Sequence, residues 1–145
     1  MLRLASEYAD IVGIIPRWLG SWGKAIQLHT LDSIKSKINR VKALAEELGR
    51  NPDNIEFQMF IPFNEITKDS EHRRTRIDGI IKYFGASSES IENSEYVMIG
   101  SSDYIRKRIS NLYKETGANY FVFNIRKDQH EEYARSIIQP LTKSQ

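Results

Sequence analysis

The chain has 145 residues, 40% of them hydrophobic and 28% charged, with a formal net charge of +2. That is one domain's worth of sequence, and a single domain over residues 1–145 is expected. The absence of cysteine excludes disulfides and thiolate metal sites, and no apolar run reaches the ~18 residues of a membrane span. The N-terminus lacks a basic region followed by an apolar stretch and a cleavage site, so a cytoplasmic protein with no membrane partner is expected.

In chain order, Leu2, Leu4, Ala5 and Ala9 predict the closing turns of a helix. Asp10 then leads into IVGII, a short buried strand ended by Pro16. The stretch RWLGSWGKAIQLHT reads as a loop, because Gly20 and Gly23 break its periodicity. Ile34, Ile38, Val41, Ala45 and Leu48 share one face of a helix that Asp32 or Ser33 can cap and Gly49 stops, with Asn51-Pro52 as a turn. In IEFQMFIPF, Ile55, Phe57, Met59, Ile61 and Phe63 alternate on one side and Phe60 faces the other, the pattern of a strand partly covered on both faces. Ser70 opens a helix through Ile77, Ile80, Ile81 and Phe84 to Gly85; a short helix near Ile91 and the segment YVMIG follow. Ser101 or Ser102 caps a helix carrying Ile105, Ile109 and Leu112, which Gly117 stops. ANYFVFNI is the third strong strand, and Asp128 can cap a last helix holding Tyr133, Ile137 and Ile138.

Strands joined by helical crossovers require a parallel sheet of right-handed βαβ units. The expectation is an α/β fold with about three parallel strands and surrounding helices. Three such strands leave two unpaired edges, which calls for cover from another polypeptide.

The residues also carry a resemblance. RLASEYADIVGI resembles the mid-chain signature of the luciferase-like flavin- and deazaflavin-dependent oxidoreductases, which include methylenetetrahydromethanopterin reductase-like proteins. SIKSKINRVKALAEELGRNPDNIEF resembles the helix, turn and strand that follow in that family. MIGSSDYIRKRISNLYKETGANYFVF resembles its penultimate helix and last barrel strand, and EEYARSIIQPL its final helix. The resemblance implies the C-terminal half of a (β/α)8 barrel, a partial TIM-type barrel with its first half absent. It further implies FMN or F420 as cofactor. Hydride transfer or oxygen activation would follow once a homodimer, or a separate chain supplying the N-terminal half-barrel, completes a pocket. The family's Gly-rich phosphate turn would end close to Met1, the N-terminal strands that supply much of the isoalloxazine pocket have no counterpart, and its G-T-P-E turn is here Gly100-Ser101-Ser102-Asp103.

Chemistry in such barrels sits at the C-terminal strand ends, here Ile15-Pro16-Arg17, Phe63-Asn64-Glu65 and Asn124-Ile125-Arg126. Arg17 or Arg126 can hold a phosphate through its guanidinium fork, or serve only as a solvated loop arginine. Asn64 and Asn124 can hydrogen-bond a flavin edge, or simply close turns. Trp18 and Trp22 can stack on a planar cofactor, cover a sheet edge or fill a subunit contact, and the contact is the expectation. The run Glu71–Arg76 lies where related enzymes carry a mobile insertion, and otherwise reads as a charged turn on a solvated helix face. The sequence assigns no catalytic residue.

His29, His72 and His130 have no metal-ligand spacing, so no metal is expected. The chain has no Ser–His–acid order, nucleophile elbow, dinucleotide fingerprint or phosphate-binding loop. Basic clusters at Arg73–Arg76 and Arg106–Arg108 lack interleaved aromatics, so no nucleic-acid partner is expected despite a pI of about 8.8. The function that the resemblance implies is an oxidoreductase. The alternative is a cofactor-free half-barrel acting as an assembly dimer, favoured by the lost Gly-rich turn beside intact core periodicity.

Overall fold

The computed structural model describes residues 2–19 and 25–143, the side chains of Trp18 and Ala25 excepted. Helix α1 (Leu2–Tyr8) leads into strand β1 (Ile11–Ile14). The stretch expected to be a loop instead holds β2 (Arg17–Leu19), paired antiparallel with β3 (Ala25–Gln27). Strands of three residues carry too little alternation to stand out in sequence. The stacking, edge-cover and contact readings of Trp18 and Trp22 fall on a side chain and a residue outside the described ones.

Helix α2 (Leu31–Glu47) is capped by Thr30, whose hydroxyl accepts from the Ser33 N–H, and not by Asp32 or Ser33. Asp32 lies in the first turn instead, where a negative charge favours the helix N-terminus. A 3-10 turn (Pro52–Asn54) leads to β4 (Glu56–Ile61), and β5 (Phe63–Ile66) follows at once. Then come α3 (Ser70–Phe84), α4 (Ser88–Glu92), β6 (Val97–Gly100), α5 (Ser102–Thr116) and β7 (Tyr120–Phe123). Gly85 and Gly117 end α3 and α5 at φ of 63° and 77°, a conformation that costs glycine little.

The closing segment is a 3-10 turn (Lys127–Gln129), α6 (His130–Tyr133), a π-helical turn (Ala134–Ile138) and α7 (Gln139–Thr142). Asp128 does not cap it. Its carboxylate accepts from Arg126 two residues back, an ionic partner that competes well with a helix-end N–H.

The strand predicted over residues 55–63 is broken at Pro62, which has no N–H to give a ladder. On one side of the break, β1, β4 and β7 form a parallel sheet in the order β1-β4-β7. On the other, β5 pairs in parallel with β6. Phe63 consequently leaves the apolar stripe of β4. It packs edge-on against Phe84, 5.3 Å between ring centroids, beside a second small core of Ile77, Ile91, Val97 and Ile99.

The main core lies on one face of the three-stranded sheet. Val12, Ile14, Phe57, Met59 and Ile61 are buried there with the apolar stripes of α2 and α5 and with Tyr133 and Ile137 of the closing segment. The two-residue period of a strand sends Ile11, Gln58, Phe60, Tyr120 and Val122 to the opposite face. That face is only partly covered: Ile11 is 47% and Tyr120 42% exposed, and Phe60 is half-buried. Helices on one face and an open second face are what a segment of a barrel wall presents.

The asymmetry sets an expectation for stability. Phe57 is 1% exposed, so Phe57→Ala should cost about 3–5 kcal/mol in urea denaturation. Tyr120→Ala on the open face should cost less than about 1 kcal/mol. Equal losses at the two positions would contradict a one-sided core.

Candidate functional site

Parallel pairing puts the C-terminal ends of β1, β4 and β7 on one rim, with β5 continuing beyond it. A cleft of about 160 Å³ opens there, lined by Asn64, Glu65, Arg76, Asn124 and Arg126 among others. Three of the four residues singled out in the sequence thus come together. Asn64, 7% exposed, ties the rim: its Nδ2 donates to the Ile61 carbonyl at 2.8 Å and the Asn124 carbonyl at 3.1 Å. Two carbonyl acceptors around one end of the amide fix its orientation, so Oδ1 is the end left over. That buried oxygen has no hydrogen-bond partner among the described residues.

Glu65 is the residue whose role the sequence did not reveal. It is 2% exposed and faces two arginines and a histidine: Arg76 Nε at 2.5 Å, His72 Nε2 at 3.2 Å and Arg126 Nη1 at 3.5 Å. A buried carboxylate is tolerated when such partners surround it. The stretch Glu71–Arg76 is therefore not a uniformly solvated face. His72 and Arg76, four residues apart on α3, turn toward Glu65, while Glu71 and Arg74 stay exposed. The spacing was visible in the sequence, but not which side of α3 met the strand.

Arg126 is committed to carboxylates. Its Nε and Nη2 donate to Asp128 at 3.1 and 2.9 Å, and this bond holds the Asp128 carboxyl below the usual aspartate range. Tyr133 is fully buried behind the rim, and its hydroxyl has no hydrogen-bond partner among the described residues. Burial, with the charge of Glu65 adding to it, pushes this phenol well above its ordinary pKa, so it stays protonated.

Arg17 stands elsewhere. It lines a larger cleft, about 640 Å³, with Gln27, His29, Ser33 and Lys37. The floor is anchored by Tyr96, whose buried hydroxyl donates to the Ile14 carbonyl at 3.0 Å and whose ring meets His29 edge-on at 5.9 Å. The Lys37 amine lies 2.6 Å from His29 Nε2 and 3.2 Å from its Nδ1, and the Ser33 hydroxyl stands 3.4 Å from Nδ1. Burial, and then the charge of Lys37, push the His29 pKa below its ordinary 6.5; burial also lowers Lys37. Among the described residues no group of three His, Asp or Glu can share a metal ion.

No protein-family model matches this chain, and no curated protein matches it. Solved structures do. The long-chain alkane monooxygenase LadA superposes with a TM-score of 0.66 at 14% identity, covering 99% of this chain and 38% of that one. Riboflavin lyase RcaE, solved with modified FMN and riboflavin, gives 0.68 at 9% identity over 99% of this chain and 40% of its own. The coenzyme F420 dependent tetrahydromethanopterin reductase from Methanopyrus kandleri gives 0.63 at 14% identity over 97% and 48%. The chain spans less than half the length of these structures. At such identities the likeness establishes the fold: α/β, with parallel strands forming part of a (β/α)8-type barrel.

Two outcomes are expected. Arg76→Ala, which takes the nearest cation from a carboxylate that is 2% exposed, should cost about 3 kcal/mol in urea denaturation. Glu65→Gln, which removes the buried charge and leaves arginines that are 46% and 51% exposed to water, should cost about 1 kcal/mol or less. The reverse order would show that Glu65 does not depend on its arginines.

The second concerns pH. The folded-state pKa of His29 lies below its unfolded value of 6.5, so its contribution to stability is present above 6.5 and is lost as pH falls through the folded-state value. Denaturation at about pH 7.5 and about pH 5 should show a smaller fall for His29→Gln than for the natural chain. An unchanged difference would place the sensitivity elsewhere.

Proposed function

We propose that this chain forms part of a luciferase-like oxidoreductase that uses FMN or F420, with its pocket completed by a second copy of the chain. The observation that carries the proposal is the unpartnered Asn64 Oδ1, buried at a strand-end rim in a fold shared with FMN- and F420-associated structures. An acceptor in that position suits a ring N–H, and the exposed Asn124 beside it offers a second amide. The cleft, at about 160 Å³, is smaller than the roughly 300–1,000 Å³ of ligand pockets. It fits one edge of a planar ring, and the remaining walls must come from outside it.

The proposed roles follow from position. FMN or F420 supplies the hydride-transfer or oxygen chemistry when bound. Asn64 and Asn124 orient the ring edge, and Glu65 with Arg76, Arg126 and His72 keeps the rim rigid. Arg126 can exchange Asp128 for a phosphate, since that pair is exposed. Arg17 in the larger cleft is the alternative phosphate holder. A second copy fits the open sheet face because two chains of this length come close to the length of the F420-dependent reductase, of which this chain covers 48%.

A cofactor-free half-barrel dimer is the second reading. The internal neutralisation of Glu65 favours it, because that cluster is complete without a ligand.

Native mass spectrometry on the protein as purified, followed by fluorescence titration with FMN and with F420, separates the readings. The expected result is a dimer that binds one cofactor saturably, with Asn64→Ala weakening it about tenfold. A dimer that binds neither supports the second reading. A monomer that binds neither defeats both.

A further inference from the structure

Five arginines of this chain rest on carboxylates: Arg50 on Asp10, Arg76 on Glu65, Arg106 on Asp103, Arg108 on Glu95 and Arg126 on Asp128. The larger cleft gathers cations with no such carboxylate beside them among the described residues. Arg17 from β2, His29 from the segment before α2 and Lys37 from its second turn line it together, and no acidic side chain joins them. No Asp or Glu occurs between Asp10 and Asp32, so residues 20–24, outside the described ones, bring no carboxylate either.

Lys37 is half-buried and has three hydrogens to donate, yet its partner among the described residues is the His29 ring. Partly desolvating an ammonium group without a counter-ion is unfavourable. The lowered pKa values of Lys37 and His29 run opposite to what a paired carboxylate would produce.

We infer that the cleft bounded by β2, β3 and the start of α2 binds a dianionic phosphate group, held by Arg17, His29 and Lys37 with the Ser33 hydroxyl and the Gln27 amide at its side. An arginine fork, an ammonium and an imidazole that can gain a proton match the charge and the several oxygens of such a group. The volume, about 640 Å³, leaves room for an attached organic moiety, and Ile15 and Pro16 supply apolar wall. The site uses none of the residues of the Asn64–Glu65 cleft, so it stands whether or not a cofactor binds there.

NMR of the His29 ring tests this, assigned through His29→Gln. The natural chain is titrated with inorganic phosphate, with phenyl phosphate and with sodium chloride at matched ionic strength. Among the described residues, the ionisable groups at the ring are Lys37 and Tyr96, which burial keeps protonated, with Arg17 lining the same cleft. The expected result is a saturable shift with both phosphates and a rise in the His29 pKa. Lys37→Met and Arg17→Gln should each weaken binding about tenfold. Tighter binding of phenyl phosphate assigns the site to a phosphate ester, and equal binding to the phosphate group alone. Shifts of the same size with chloride, or shifts that survive both substitutions, overturn the inference.

Discussion

Proline at position 62 has no amide hydrogen to give a neighbouring strand, and the architecture of the rim depends on that one missing donor. Up to Ile61 the chain belongs to the β1-β4-β7 sheet; from Phe63 it belongs to the pair with β6. A gap in a ladder needs other hydrogen-bond partners, and side chains provide them. The Asn64 amide joins the ends of β4 and β7, and the Gln129 amide both donates to and accepts from the backbone of Ile66. With β5 held in this way, Glu65 is buried facing α3. Had position 62 kept an N–H, β4 could have run on in the first sheet, and these contacts would have no reason to form.

The two clefts show contrasting electrostatics. At the strand-end rim one buried carboxylate is matched by two arginines beside His72, and the groups lacking a partner there among the described residues are neutral, the Asn64 oxygen and the Tyr133 hydroxyl. In the cleft beside α2 the cations have no carboxylate match among the described residues. A satisfied ionic cluster contributes rigidity, and an unsatisfied one stores an affinity for anions. The chemistry each cleft suits follows from this: a hydrogen-bond donor at the edge of a ring in the first, a phosphate group in the second.

The sheet itself is covered on one side. Its buried face is a continuous apolar layer against helices, while the other mixes apolar and polar groups that are half-buried or exposed. In a closed barrel that second face would line the interior. The chain accounts for 38% to 48% of the length of the three barrel structures described, and its helices cover one side only. Both facts have the same geometric meaning, an arc of wall and not a ring.

Residue spacing determined much of this fold. The i, i+4 stripe of Ile34, Ile38 and Ala45, the alternation of Phe57, Met59 and Ile61, and the glycines at 85 and 117 are local signals, and each gives an element near where the structure has it. The same locality explains what could not be read. β2 and β3 are too short for a period, and the switch of sheets at Pro62 depends on a partner, β6, more than thirty residues away. That Asn64, Asn124 and Arg126 would fall on one rim was legible because strand ends are positions in sequence. Glu65 as a hub, and Lys37 against His29, were not, because a charge acquires its role from what packs against it. Sequence alone determined which segments are helix or strand and which face of each is apolar. Only the tertiary structure decided which charges meet, since that depends on distances across space between residues the chain holds far apart.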